Sequence, residues 1–179
     1  GEAGLVYCDC GYAANVEAAE ARIAYLPMAA TSQPLERVHT PAVQTIAELS
    51  AFLGVDQRHT VKTMAARTAD GRLVFLSLPG DRELNQLKAE HLFPGIELLA
   101  EDEFASFGIH RGFLGPVGAP VGTFIVADRA LQAELAWTVG ANEPDHHLTG
   151  ALPGRDFAID VWADLVTAEP GDECPGCGA

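Results

Sequence analysis

The sequence predicts an α/β fold, a compact mixed β-sheet with packed helices. Three observations predict it. Continuous apolar runs of strand length, "LVFLSL" at 73–78 and "TFIVAD" at 123–128, alternate with segments of helical period. Glycine, proline and capping residues punctuate the boundaries between them. Several strand-like runs span only four or five residues and no internal repeat is present, which favours a closed-up sheet over a wide open one.

Taken in order, Asn15 reads as the N-cap of a helix with a stripe of Val16, Ala19, Ile23 and Leu26, ended by Pro27. Residues 27–39, with two prolines and no period, read as a linker. Thr40 then caps a helix, with Pro41 at its first position, a stripe of Val43, Ile46, Leu49, Phe52 and Leu53, and Gly54 as the stop. "HTVKTMAAR" is a strand, "TADGR" a turn, and "LVFLSL" a central strand. Asp81 caps a helix over 79–93, with Leu84, Leu87 and Leu92 inward. "IELL" is a short strand and "AEDEFASFG" an acidic helical turn. "RALQAELAWTVGAN" begins helical and ends extended, and "HHLTG" and "FAIDVWADLV" close the sheet.

The 179 residues fit one domain with appended ends, and 48% hydrophobic residues make it globular rather than disordered. A chain of this length buries about 70% of its unfolded surface, so its core needs no staples. No apolar run approaches the ~20 residues that span a bilayer. The start "GEAGLVYCDC" lacks the basic and apolar regions of a signal peptide, so the expectation is a cytoplasmic protein with no membrane partner. The net charge of −14 predicts long-range repulsion of polyanions, whereas nucleic-acid binders carry a basic footprint. No G-x-S-x-G, H-E-x-x-H, Walker or G-x-G-x-x-G motif is present, which argues against a serine hydrolase, a P-loop enzyme and a dinucleotide dehydrogenase.

Four features carry chemistry. The cysteines fall as C-x-C (Cys8, Cys10) and C-x-x-C (Cys174, Cys177), a set that matches a structural zinc site if the two ends meet, and otherwise reads as four reduced thiols. Lys62 interrupts an apolar strand in a chain with nine arginines and only two lysines; it is either a placed point charge or a solvated strand residue. The loop "RGFLGPVGAP" combines Gly112, Gly115 and Gly118 with Pro116 and Pro120. Such a loop can grip an oxyanion with bare amides, or serve as a stiff connector. In "GANEPDHHLTG", Asn142, His146 and His147 flank a strand, and adjacent histidines point to opposite faces, so at most one shares a pocket with Lys62.

Seven segments together extend this reading. "YAANVEAAEA", "TPAVQTIAEL", "HTVKTM", "GDRELNQLK", "GFLGP", "GANEPDHHLTGALPGRD" and "GDECPGCG" occur in the order found in bacterial-type prolyl-tRNA synthetases. The chain resembles the insertion domain of that family, which belongs to the YbaK/prolyl-tRNA-synthetase-associated superfamily of aminoacyl-tRNA deacylases. The resemblance implies a cis-editing domain that hydrolyses alanyl-tRNA(Pro) without a cofactor, with the tRNA held mainly by other domains of an ATP-binding host ligase. A proline activation site cannot firmly exclude alanine, since a methylene of contact is worth only ~1–3 kcal/mol. The implied division is a host seam over residues 1–38, an editing domain over 39–167 and a second seam over 168–179.

The resemblance also implies roles. Lys62 orients the ester near the terminal adenosine. Gly112, Leu114, Gly115 and Pro116 belong to the loop whose amides, including those of Gly112 and Gly115, bind the carbonyl. His147 shapes selectivity, and Thr40, Thr60, Asp128 and Asn142 line the substrate. Thr40 carries a second explanation as a helix cap. Pro153 departs from the family pattern, where a tryptophan often precedes the glycine. Two rival readings stand beside this one: a free-standing deacylase for another mischarged tRNA, and a catalytically silent structural insertion.

Overall fold

The computed structural model of the chain describes residues 4–24, 33–133 and 135–179. The elements in chain order are β1 (Leu5–Tyr7), β2 (Ala13–Asn15), β3 (Glu36–His39), α1 (Ile46–Leu53), β4 (Val61–Arg67), β5 (Leu73–Pro79), α2 (Gln86–Leu92), β6 (Glu97–Leu98), β7 (Phe124–Asp128), β8 (Trp137–Gly140), β9 (His146–Ala151) and β10 (Val161–Ala163). Short 3-10 turns cover Gln57–His59, Glu101–Phe107 and Arg129–Gln132.

β5 is the middle strand of a five-stranded mixed sheet in the order β10-β7-β5-β4-β6. It pairs antiparallel with β4 and parallel with β7. Every residue of β5 is buried, as its unbroken apolar run requires. Side chains alternate across the sheet. Val74 and Leu76 pack on one face with Ala89, Val126 and Leu165. Leu73 and Phe75 pack on the other with Leu99, Ile109 and Leu114.

A second, antiparallel sheet has the order β3-β9-β8. A parallel bridge between Thr60 and Thr138 joins the two sheets just before β4 begins. Val61, Ala127, Leu131, Trp137, Val139 and Phe157 fill the space between them. The mixed α/β class follows from this arrangement, with the helices short and peripheral.

Several local expectations are corrected. No helix follows Asn15 among the described residues; β1 and β2 form a hairpin that ends at Asn15. The Asn15 side chain accepts from Glu17 N–H at 3.0 Å, and Ala18 and Ala19 bond back to its carbonyl, which makes one turn and no more. The chain is then pinned to its neighbours. Asn85 donates to Glu17 O, Lys88 to Ala19 O, and Ala21 N–H bonds Asp164. These tertiary bonds outweigh an alanine-rich helical propensity that is weak without an apolar face to bury. Leu26 and residues 27–32 lie outside the described residues, and the end of the predicted linker is strand β3.

The other helices start later than their sequences suggest. Thr45, not Thr40, caps α1, in a capping box with Glu48. Ala42 adopts a left-handed φ of 59°, which no helix interior tolerates. Asn85, not Asp81, caps α2 by accepting from Leu87 and Lys88 N–H. Ahead of it, Arg82 pairs with Asp172 and Leu84 bridges to Val166, so these residues serve the tertiary fold instead of a helix. The inward residue of α2 is Ala89, while Leu87, Leu92 and the Phe52 of α1 are exposed.

Leu76 is fully buried in the central strand. Leu76→Ala is expected to lower unfolding stability by about 2–5 kcal/mol in urea titrations, the cost of lost transfer energy plus a cavity. A loss under about 1 kcal/mol would show that β5 is not the core strand.

Candidate functional site

A cleft of about 390 Å³ opens where the two sheets meet. Its walls come from the entry to α1 (Gln44, Thr45, Ile46, Leu49), the start of β4 (Val61, Lys62, Thr63), Gly80 and Glu83, the loop residues Gly112 and Leu114, and Gly140 and His147. It continues into a trough of about 930 Å³ that shares Gln44, Thr45, Thr63, Gly112 and Leu114 and adds Phe104 and Arg111. The cleft combines aliphatic walls with a few convergent polar groups, the usual make-up of a small-molecule site.

The glycine loop is held by contact of backbone on backbone. A Cβ on Gly115 would stand 2.0 Å from Gly140 O, and one on Gly140 would stand 2.2 Å from Leu114 O. Neither position admits a side chain. Asn142 fastens the loop from behind: its Nδ2 donates to Gly115 O and Val117 O, both at 2.8 Å, and its Oδ1 accepts from Gly115 N–H at 3.0 Å. Its own N–H bonds Phe113 O at 2.7 Å, and its φ of 56° is left-handed.

Asn142 therefore spends its amide on the loop and does not line the cleft. The same clamp occupies the Gly115 amide, so the oxyanion role implied for it is corrected. Among the described residues, the amides of Gly112 and Leu114 make no hydrogen bond, and both residues are on the cleft wall. Pro116 is buried behind the wall and has no N–H to offer. Gly112 needs its φ of 86°, and a Cβ there would press on Gln44 at 2.9 Å.

His147, on β9, is 4% exposed. Its Nδ1 shares a 2.7 Å hydrogen bond with the Thr40 hydroxyl, and its ring lies 5.8 Å from that of Phe113. Burial, with a smaller contribution from His146, pulls its pKa down to about 4, so the imidazole is neutral at neutral pH. Thr40 is fully buried, and its N–H bonds Asp145 O at 2.7 Å. It orients His147 instead of capping a helix. His146 faces the other way, its ring centroid 5.0 Å from that of His39 with the planes tilted by 43°.

Lys62 reaches into the cleft and donates to Glu83 Oε1 at 2.9 Å. The Lys62 side chain is 23% exposed, while that of Glu83 is 81% exposed. A pair this wet is worth at most about 1 kcal/mol, so an incoming phosphate or carboxylate can replace Glu83.

Two further residues stand apart from the cleft. Thr60 is fully buried and donates its hydroxyl to Gln57 O at 2.7 Å, so it links the two sheets and is not a lining residue. Asp128 is also buried. Its Oδ1 accepts from Ala130 N–H and its Oδ2 from Leu165 N–H at 2.9 and 2.8 Å. Both oxygens hold the exit of β7, and burial pushes its carboxyl up from the usual range. Pro153 bridges to Phe157 and lines a separate shallow groove. The four cysteines gather in one cluster, all Sγ atoms within 4.8 Å of one another.

Sequence reasoning missed Gln44, Thr45, Gln57, Thr63, Gly80, Glu83 and Gly140 as wall residues. All but Gln57 fall within the ordered motif segments, which is the signal that could have found them.

The fold places the chain among editing-domain-like folds. A crystal structure presented as a candidate trans-editing enzyme for prolyl-tRNA synthetase superimposes with a TM-score of 0.63 at 21% identity, over 75% of this chain and 87% of that one. The family described as the aminoacyl-tRNA editing domain matches residues 40–157, and the chain belongs to it. It is 42% identical to a proline--tRNA ligase of Trichlorobacter lovleyi and 41% identical to one of Sulfurihydrogenibium sp., over 99% of its own length in each case. The chain spans about a third (31%) of the length of these relatives. It is an aminoacyl-tRNA editing domain related to prolyl-tRNA synthetase.

The buried neutral His147 has a pH consequence. Its folded pKa of about 4 lies below the ordinary 6.5, so between these values the unfolded chain binds the extra proton. Stability is therefore complete above about pH 6.5 and falls as pH drops towards 4. The full loss is on the order of 3 kcal/mol. Urea midpoints of the protein and of His147→Gln, compared across that range, are expected to differ in slope, with the variant flatter. Parallel slopes would show that His147 titrates normally.

Proposed function

We propose that this domain hydrolyses the ester of alanyl-tRNA(Pro), releasing alanine and tRNA(Pro), in cis within a host proline--tRNA ligase. The observation that carries the reading is the convergence in one cleft of an ammonium that, among the described residues, is held only by a solvent-exposed carboxylate, two amides unbonded there, and a neutral buried histidine. The cis arrangement is supported by the match of 99% of the chain to about a third (31%) of the length of proline--tRNA ligases.

In this reading the Lys62 ammonium leaves Glu83 for a phosphate of the terminal nucleotide. That contact holds the ester in line with the loop. The Gly112 and Leu114 amides receive the carbonyl oxygen as it gains charge. Water adds to the carbonyl carbon, the bond to the ribose oxygen breaks, and that oxygen leaves with a proton. Glu83 is the one carboxylate on the cleft wall among the described residues, and its side chain is 81% exposed to water. The substrate's neighbouring ribose hydroxyl is the group we assign to activate the water. Ile46, Leu49, Val61 and Leu114 offer an aliphatic enclosure in which a methyl side chain fits with less displacement than a proline ring.

The test is hydrolysis of pre-charged tRNA by the full-length protein. Alanyl-tRNA(Pro) is expected to be cleared and prolyl-tRNA(Pro) spared, with Lys62→Ala slower by about 100-fold or more. Equal loss of both esters would overturn the substrate, and an active Lys62→Ala would overturn the lysine's role. A second arm addresses water activation. Alanyl-tRNA lacking the free terminal ribose hydroxyl is expected to resist hydrolysis, while Glu83→Gln stays within about 10-fold of the parent. The reverse pattern would make Glu83 the base.

A further inference from the structure

The four cysteines come from segments more than 160 residues apart and meet at one point. Cys8 and Cys10 sit on the turn of the β1–β2 hairpin, where Cys8 N–H bonds Tyr12 O and Gly11 N–H bonds Cys8 O, each at 2.9 Å. Facing them, Cys174 to Cys177 form a second tight turn. Gly178 N–H bonds Cys174 O at 2.8 Å, and Gly176 N–H points at Cys174 Sγ at 3.3 Å. Cys8 and Cys177 are 3.7 Å apart at sulfur, and Cys10 and Cys174 are 3.6 Å apart.

These distances decide between three states. A disulfide needs sulfurs about 2.05 Å apart, so neither pair is bonded. Four unrelated surface thiols have no reason to converge from both ends of the chain. Four sulfurs around one tetrahedral zinc, with bonds of about 2.3 Å, stand about 3.8 Å from one another, close to the spacing found.

We propose that this cluster is a structural zinc centre. Zn²⁺ binds the four thiolates of Cys8, Cys10, Cys174 and Cys177, with no position left for water. Binding releases four protons from four thiols and leaves a centre of charge −2, which the Gly176 N–H···S bond helps to stabilise. Soft thiolates in tetrahedral array select zinc over the harder divalent ions. The centre staples the β1–β2 hairpin to the segment over 171–178. That hairpin has two strands of three residues, and its Leu5 and Tyr7 are largely exposed. A hairpin so small is marginal without support, and the metal supplies it. The centre is separate from the cleft and takes no part in hydrolysis.

The test compares the full-length protein with its Cys174→Ser/Cys177→Ser variant, both purified from zinc-supplied cultures. Mass-spectrometric metal analysis is expected to find one zinc fewer per chain in the variant. Cobalt-substituted protein is expected to show thiolate charge-transfer and tetrahedral d–d absorption that the variant lacks. Cys10→Ser, a single exposed change on the hairpin turn, guards against misfolding. It is expected to keep the circular dichroism of the parent while zinc affinity drops about 100-fold or more. Equal zinc in parent and double variant, iron in place of zinc, or undiminished affinity in Cys10→Ser would each overturn the proposal.

Discussion

The cleft depends on one close approach of two backbones. Gly115 and Gly140 touch where any Cβ would overlap a carbonyl oxygen. This contact presses the loop at 112–116 against the end of β8, which belongs to one sheet, while Leu114 enters the core of the other. Asn142 holds the arrangement with three side-chain hydrogen bonds and its own amide. A partly buried polar cluster this fully satisfied is rigid, because its alternatives leave polar atoms unpaired. The consequence is selective: the clamp uses the Gly115 amide and leaves those of Gly112 and Leu114 free on the wall.

The two lysines show how burial separates structure from chemistry. Lys88 is nearly enclosed and donates to Asp164 and to the carbonyls of Ala19 and Val166, all within 2.8 Å. It binds the N-terminal segment and the stretch after β10 to α2, and every proton it carries has a partner. Among the described residues, Lys62 has one partner, and that partner is in water. An ammonium with a displaceable counter-ion at a cleft can change partners; one with three fixed acceptors cannot.

The chain's acidity fits this division. With a net charge of −14, and with its exposed arginines mostly paired to nearby carboxylates, the surface offers little long-range attraction to a polyanion. Contacts to a nucleic acid would therefore be short-ranged and confined to the cleft mouth, where Lys62 and, along the trough, Arg111 are placed.

Much of this protein was legible in the sequence. The apolar run at 73–78 determined the central strand, because only burial on both faces satisfies such a run. The glycines and prolines at 112–120 marked a loop of special geometry, and the ordered motifs marked the family. Tertiary structure decided the rest. Alanine-rich residues 16–21 form a single turn followed by extended chain because Asn85, Lys88 and Asp164 capture their backbone. Thr40 looked like a cap, yet it serves His147, since the two meet only when β9 lies beside the chain entering α1. Asp128 and Asn142 looked like ligands for substrate and are spent on the backbone. A sequence declares which residues have hydrogen-bonding capacity. Only the packed chain determines which of that capacity is already used, and function falls to what is left over.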